Sequence, residues 1–491
     1  MPRITQADLE KYLWGCADIL RNNVEASSYR DYIFPLLFFK RISDVYDEDI
    51  VNAQKEYGEA WTSFPEDEIH DFSIPEGCHW KDIRNVTDNV GSAIQKAFQG
   101  IEGLNADKLG GVFGNSNWAN KAKLPDRMLK DLIEHLSSLT LSIENCPEDE
   151  LGHGYEYLIG KFDSDDGHTA QQFYTNRTVA HLMAEMLNPQ PKESIYDPTC
   201  GSGGILISCI DHIKNRGQEW RNVKVYGQEI IPPTASICRM NLFLHGVKEF
   251  TVRTGDTLST PTFLQHDRLK TFDVVVANPP YSISNWDRDA FSTDKYGRNF
   301  LGTPPQGRAD YAFIQHILKS MDRDTGRCAI LLPHGVLFRN EETEMRKKLV
   351  ESDLIEAVIG IGKNLFYNSP MEACILVCRS QKPLNRLGKV LFINARHEVT
   401  RKNAESYLED AHIEKIAQSY NEYATQEGFA YVASKDEIAK QGYELSISLY
   451  IDDNTGVSAK PFETAYSDWN AAHSGMMSAT NSLVSMLKGD K

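Results

Sequence analysis

The spacing of apolar positions changes character twice along the chain. From Asp8 to Leu20 they recur at helical spacing, and Tyr29–Phe39 repeats the pattern with more apolar character and a proline, Pro35, that predicts a kink. Gly110-Gly111 and Pro125-Asp126 mark connections between further helices. Residues 1–150 therefore read as a helical N-terminal domain with its own core. Between 151 and 384 the period shortens. Apolar, β-branched runs predict strands at Ser194–Tyr196, Val223–Tyr226, Phe250–Arg253, Cys328–Leu332, Ile355–Ile361 and Ala373–Cys378, and another from Phe272 that must stop near Ala277. Helical segments at Thr178–Leu187, Ile205–Ile213, Thr234–His245, Asp310–Met321 and Glu341–Glu351 alternate with them. Such alternation over about 200 residues predicts an α/β fold built on a doubly wound sheet.

Beyond Pro383 the pattern changes again. A strand-like Val390–Asn394 precedes a charged helix over Ala404–Thr425, and residues 385–491 read as a C-terminal region ending in a helical tail. In that tail Phe462, Tyr466, Trp469, His473, Met476, Thr480, Leu483 and Leu487 fall at alternating spacings of four and three, which are heptad seam positions. The seam fits either an amphipathic helix folded onto its own domain or a docking face. His473, Thr480 and the nearby Gly475 weigh against a strong autonomous coiled coil.

The sharpest break in period is at Asn278-Pro279-Pro280-Tyr281, directly after a buried strand. Two prolines fix φ and lack N–H groups, so they hold a rigid turn at the carboxyl end of the strand, where open α/β sheets place ligands. An Asn oxygen and a backbone carbonyl can accept both hydrogens of a planar amino group, and Tyr281 can stack on its ring. A plain strand-ending turn is the bland alternative. Upstream, Asp197-Pro198-Thr199-Cys200-Gly201-Ser202-Gly203-Gly204 joins a strand to an apolar helix. Its glycines permit a tight turn and close approach of a ligand, and Asp197 suits an ammonium group. Cys200 reads as packing beneath the turn. Glu229 ends the second strand, where an acid commonly takes ribose hydroxyls, and Asp256 follows the third and could accept from an adenine amino group. The polar and aromatic Gln171–Arg177 leads into a helix with Thr175 or Asn176 as its cap. Ser282–Arg308 reads as a long polar loop whose Trp286 and cations could touch substrate, solvation being the simpler account of each.

Charge narrows the function. Lysine and arginine number 52 against 69 acidic residues, a net −17, the wrong sign for a protein that grips nucleic acid unaided. The nine cysteines form no Cys-x-x-Cys pair, so neither a disulfide framework nor a zinc site is expected. With no run of about 18 apolar residues and a polar start, the chain is expected to be cytoplasmic, without membrane contact.

These motifs, in this order, carry a resemblance. Leu13-Trp14-Gly15-Cys16-Ala17-Asp18-Ile19-Leu20, Gln172-Phe173-Tyr174-Thr175, Asp197 to Gly204, Gly227-Gln228-Glu229, Gly255-Asp256-Thr257-Leu258, Asn278 to Tyr281 and Arg308-Ala309-Asp310-Tyr311-Ala312-Phe313 resemble those of the modification (M) subunit of type I restriction-modification systems, a DNA adenine-N6 methyltransferase. Two positions depart from that family: Asn176 stands where proline is usual, and Pro232-Pro233 follow Glu229 where one proline is usual.

The resemblance implies an S-adenosyl-L-methionine-dependent methyltransferase sheet over 151–384, whose product protects host DNA. It implies a cofactor site of Gln171, Gln172, Phe173, Tyr174, Thr175, Asn176, Asp197, Gly201, Ser202, Gly203, Gly204, Glu229 and Asp256. Asn278, Pro279, Pro280 and Tyr281 would hold a flipped adenine, with no metal. The implied partners are duplex DNA, a specificity (S) subunit flanked by two M subunits, and a restriction (R) subunit. A protein-glutamine or RNA methyltransferase sharing the Asn-Pro-Pro-Tyr chemistry, or a catalytically silent assembly subunit, are the alternatives.

Overall fold

The computed structural model describes residues 4–21, 23–165, 175–365, 372–402, 405–452 and 462–488. Its centre is a nine-stranded sheet. In chain order the strands are β1 (Ser194–Asp197), β2 (Lys224–Glu229), β3 (Phe250–Thr254), β4 (Val274–Ala277), β5 (Arg327–Pro333), β6 (Ile355–Ile361), β7 (Ala373–Arg379), β8 (Lys389–Ala395) and β9 (Ala430–Ser434). Across the sheet they run β9-β8-β6-β7-β5-β4-β1-β2-β3. β1 to β5 are mutually parallel, β7 runs antiparallel between β5 and β6, and β9 closes the far edge antiparallel to β8.

Both faces are covered, which is why the central strands read as unbroken apolar runs. Period-two alternation sends Ile195, Val274 and Val276 to one face, under the helices Arg177–Leu187, Gly204–Asn215, Pro232–Leu244 and Asp410–Glu422. Tyr196, Val275 and Ala277 go to the other, against Asp310–Lys319 and Thr343–Glu351.

The pattern change beyond Pro383 is not an exit from this sheet. β8 pairs parallel with β6, and β9 adds to it, so the layer continues to Ser434 and not to 384. The helix expected over Ala404–Thr425 begins only at Asp410, because Glu405–Tyr407 pairs with Thr400–Lys402 as a small antiparallel ribbon. Glu409 then opens the helix with a reciprocal cap to His412. The division at 150 also shifts. Glu148–Asp165 is one helix, and its Leu151, Tyr155, Leu158 and Phe162 lie in the core of the N-terminal helices.

That core is not closed on itself. It takes in Ile237, Met240 and Leu244 of Pro232–Leu244, the helix whose opposite side, through Ala235, Cys238 and Leu242, packs on the sheet. One helix is thus the shared wall of the two layers. The helix begun at Arg30 runs through Pro35 to Tyr57, well past Phe39. Its continuation is held by Arg41, which donates Nη1 to the carbonyls of Leu141 at 2.6 Å and Cys146 at 2.7 Å. All nine cysteines are buried thiols, and no disulfide joins them. No helix among the described residues is long and apolar enough to cross a membrane.

Ser282–Arg308 is a folded excursion and not a loose polar loop. Trp286 and Phe291, the latter on a short helix Arg288–Ser292, form a small core with Leu258, Ala309, Ala312 and Phe313. Arg298, a cation of this stretch that reads from the sequence as solvated, is 2% exposed. Its guanidinium pairs with Asp294 at 2.6 Å and donates to the carbonyls of Thr257 at 2.9 Å and Leu258 at 2.8 Å. It also meets Nδ1 of His316, whose pKa burial and the Arg298 charge push well down.

Arg298→Ala should therefore leave Asp294 buried without its cation, a loss of about 3–5 kcal/mol for a pair of this kind. Hydrogen exchange should rise across 282–308 and 256–258 while the N-terminal helices keep their protection; unchanged exchange in that excursion would show that the staple is elsewhere.

Candidate active site

The order of strands reverses at β1, which lies between β2 and β4, and in open α/β sheets the crevice at the carboxyl ends of such strands receives ligands. Four expected residues arrive there because each closes a strand. Asp197 ends β1, Glu229 ends β2, Asp256 follows β3, and Asn278 is the first residue after β4. They share a cavity of about 250 Å³ with Thr175, Gly201, Ser202, Gly204 and Pro280, and with an apolar wall of Ile230, Leu258, Ile283, Trp286 and Phe313.

The glycine turn is built by contacts along its underside. Gly201 and Gly203 take φ of 52° and 87°, conformations that favour glycine. A Cβ on Gly203 would stand 2.9 Å from Cys238 Sγ, so the turn presses directly on the shared helix. Cys200 packs beneath, as expected, with its Sγ where a Cβ on Gly227 would fall 2.8 Å away. Asn241, fully buried, donates Nδ2 to the Ser202 carbonyl at 3.0 Å. Gly203 shapes the turn without lining the cavity.

The acids are held by backbone N–H groups. Glu229 accepts from Gly201 at 3.1 Å and Ile231 at 2.9 Å, tying the glycine turn to the end of β2. Asp197 accepts from Thr199 N at 2.9 Å, and Asp256 from Leu258 N at 2.9 Å. Burial pushes Asp197 up to about 7; the Thr199 bond opposes this and the neighbouring Glu229 adds to it. Burial raises Glu229 as well, against its backbone bonds. No lysine, arginine or histidine lines the cavity among the described residues. Two buried carboxyl groups without a cation form a receptor for a positively charged ligand.

Asn278 donates Nδ2 to Thr175 Oγ1 at 3.0 Å, leaving its carboxamide oxygen as the acceptor to offer. Pro279 is buried, and Tyr281 is half-buried with its hydroxyl end sunk toward Cys374 and Asp310, where burial holds the phenol well above its usual pKa. Neither lines the cavity. Asn176 is spent on structure: its Oδ1 caps the helix Arg177–Leu187 at Thr178 N, and its Nδ2 donates to the Ser406 carbonyl at 2.9 Å. A proline there could make neither bond. Pro232 and Pro233 fill the first two positions of their helix, where no N–H is needed. Gln171, Gln172, Phe173 and Tyr174 lie outside the described residues.

Asp310, within Arg308-Ala309-Asp310-Tyr311-Ala312-Phe313, supports the site from beneath. It is 1% exposed and braces the turn after Tyr281, accepting from Ser282 N at 2.9 Å and from Arg339 Nη1 at 2.8 Å. Ser282 sits at φ 49°, which costs a non-glycine residue about 1 kcal/mol and is offset by that bond. A buried acid 28 positions beyond the serine it holds has no local sequence signal.

The model of the N-6 DNA Methylase family matches residues 147–457, and that of the HsdM N-terminal domain matches residues 9–136. The chain belongs to the N-6 DNA methylase family. It is 30% identical over 497 residues to the MjaIX methylase subunit, a type I restriction enzyme subunit of Methanocaldococcus jannaschii, covering 94% of this chain and 87% of that one. The MpnII methylase subunit of Mycoplasma pneumoniae is 27% identical, with 90% and 89% covered. A type I restriction-modification methyltransferase subunit of Streptococcus thermophilus superposes with a TM-score of 0.79 at 29% identity, covering 91% of this chain and all of that one. Family membership makes this chain an adenine-specific DNA methylase of the type I restriction-modification kind, and weighs against the protein-glutamine, RNA and silent-subunit readings. Methyl transfer in this family implies S-adenosylmethionine as donor, and a cation-free cavity edged by Asp197 and Glu229 fits its ammonium and sulfonium charges.

Asp197 supplies its charge to such a ligand only when ionised. Below about pH 7 the free protein holds it protonated, so S-adenosylmethionine affinity should rise with pH through about 7 and level off above. Calorimetric titrations from about pH 6 to about pH 7.5 should show proton release on binding. Asp197→Asn should flatten the profile; a profile unchanged by that substitution would move the ammonium site off Asp197.

Proposed function

We propose that this subunit transfers the methyl of S-adenosylmethionine to N6 of an adenine rotated out of duplex DNA, with cofactor and base meeting in the one cavity at the ends of β1 and β4. The observation that carries this reading is the presence of Asn278 in the wall of the same cation-free cavity as Asp197 and Glu229. Gln171 to Tyr174, Asp197, Gly201 to Gly204, Glu229 and Asp256 make up the cofactor side, with Asn176 capping the helix that follows and Thr175 facing Asn278.

When bound, the cofactor supplies an electrophilic methyl on a sulfonium. The protein's part is to prepare the acceptor. The adenine N6 lone pair is delocalised into its ring. Accepting both N6 hydrogens, at Asn278 Oδ1 and the Pro279 carbonyl, favours a more pyramidal and nucleophilic nitrogen. Extruding the base costs about a few kcal/mol, and stacking on the half-buried Tyr281, which stands outside the cavity wall, would offset about 1–3 kcal/mol once the base enters. Asn278→Ala should abolish methyl transfer to DNA while leaving cofactor affinity nearly unchanged, measured with labelled cofactor and by calorimetry. Parallel losses in both would place Asn278 on the cofactor.

Recognition of a DNA sequence is assigned to a partner. A net charge of −17 is unsuited to releasing many counterions from DNA, and no helix-turn-helix or zinc signature supplies base readout. Its relatives are subunits of type I restriction enzymes, which supports assembly with other subunits, and we propose that these are a specificity subunit flanked by two methylase subunits and a restriction subunit. The docking face is the helix Phe462–Lys488. Tyr466, Trp469 and Met476 of its seam are 51%, 59% and 59% exposed, which favours docking over folding back on the body. Deleting residues from Phe462 onward should leave cofactor binding intact and prevent co-purification with the specificity subunit; full assembly of the truncated chain would refute this docking face.

A further inference from the structure

Asparagine is a poor acceptor unless its carboxamide is prevented from turning over. The terminal torsion of Asn is broad, and a half-turn replaces the oxygen by an NH2 group that meets the amino group of the base donor to donor. The turn Asn278-Pro279-Pro280 fixes the backbone of the motif and not this rotor. The contact that fixes it comes from a segment 103 positions earlier, the 3.0 Å bond from Asn278 Nδ2 to Thr175 Oγ1. A hydroxyl can accept or donate, so the bond selects this orientation when the Thr175 hydrogen is turned away from the carboxamide, and the carboxamide oxygen is then the face left for the substrate.

The residues that follow Thr175 are held on several sides. Asn176 accepts from Thr178 N at 3.0 Å and from Thr178 Oγ1 at 2.6 Å, and donates across to the Ser406 carbonyl. Thr178 Oγ1 in turn accepts from Leu408 N at 2.9 Å, and Arg177 pairs with Glu156 of the helix Glu148–Asp165. The start of this helix is thus pinned to the ribbon before Asp410 and to the N-terminal core, which gives Thr175 a fixed position from which to hold a rotor.

Resting on the adenine-methylating reading of the cavity, we propose that Thr175 is a positioning residue for the reaction, acting through Asn278 by setting the orientation of its carboxamide, and is not a ligand of the cofactor.

The test compares Thr175→Val, which keeps the shape and removes the hydroxyl, with Thr175→Ser, which keeps the hydroxyl. Each is assembled with the specificity subunit. The rate of methyl transfer to DNA is measured at saturating cofactor and DNA, and S-adenosylmethionine affinity is measured separately by calorimetry. The Val variant should lose about tenfold or more in rate with affinity within about twofold of the parent, and the Ser variant should recover most of the rate. Thr175→Ala serves in place of Val should the latter not assemble, with the same expectation. A full rate in the hydroxyl-less variants, a fall in affinity that accounts for the fall in rate, or a Ser variant as slow as Val would each overturn the assignment. Absence of methyl transfer to adenine by the parent complex would instead remove the reading beneath it, and the assignment with it.

Discussion

Every functional feature depends on the gap at the carboxyl ends of β1 and β4, where the strand order reverses. Because Asp197, Glu229 and Asp256 each close a strand or follow one directly, the sheet's register brings their carboxyl groups to one rim without any contact between them in sequence. The cost is electrostatic. Two of these acids are buried near each other and share no cation, so they are pushed toward the neutral form until a charged ligand arrives. The site stores its affinity as unrelieved desolvation.

Support for that rim comes from distant segments. Arg298 ties the excursion 282–308 to the carbonyls after Asp256, and Asp310 holds the turn after Tyr281 while itself held by Arg339. Arg339 also reaches Glu342, which burial pushes up to about 7 in spite of that cation. These buried charged groups are each met by several hydrogen bonds, the condition under which such groups rigidify a site. The methyl-transfer geometry needs that rigidity, since misplacement of an acceptor by about 1 Å costs orders of magnitude in rate.

The N-terminal helices belong to the same mechanical unit. Their core runs onto one side of Pro232–Leu244, and the other side of that helix carries Cys238, against which Gly203 closes. A change in the packing of the helical layer therefore reaches the glycine turn through one rigid element, on which Asn241, in the turn after Cys238, is bonded to the Ser202 carbonyl.

Local chemistry was legible from the sequence alone. The strand stopped by Pro279 and Pro280, the glycines of the 201–204 turn, the acids at successive strand ends and the period of the terminal helix all follow from restrictions acting over a few residues, so pattern suffices to read them. Tertiary structure decided which groups meet. Nothing within ten residues of Thr175 points to Asn278, nothing near Asp310 points to Ser282, and Arg298 reads as a solvated cation until the carbonyls of Thr257 and Leu258 are placed around it. The same holds for β8 and β9, whose membership of the sheet depends on pairing with β6 and with each other and not on their own composition. Hydrogen bonds and strand pairing join positions by distance in space, which a one-dimensional pattern does not encode, whereas turns, caps and strand ends are written where they act.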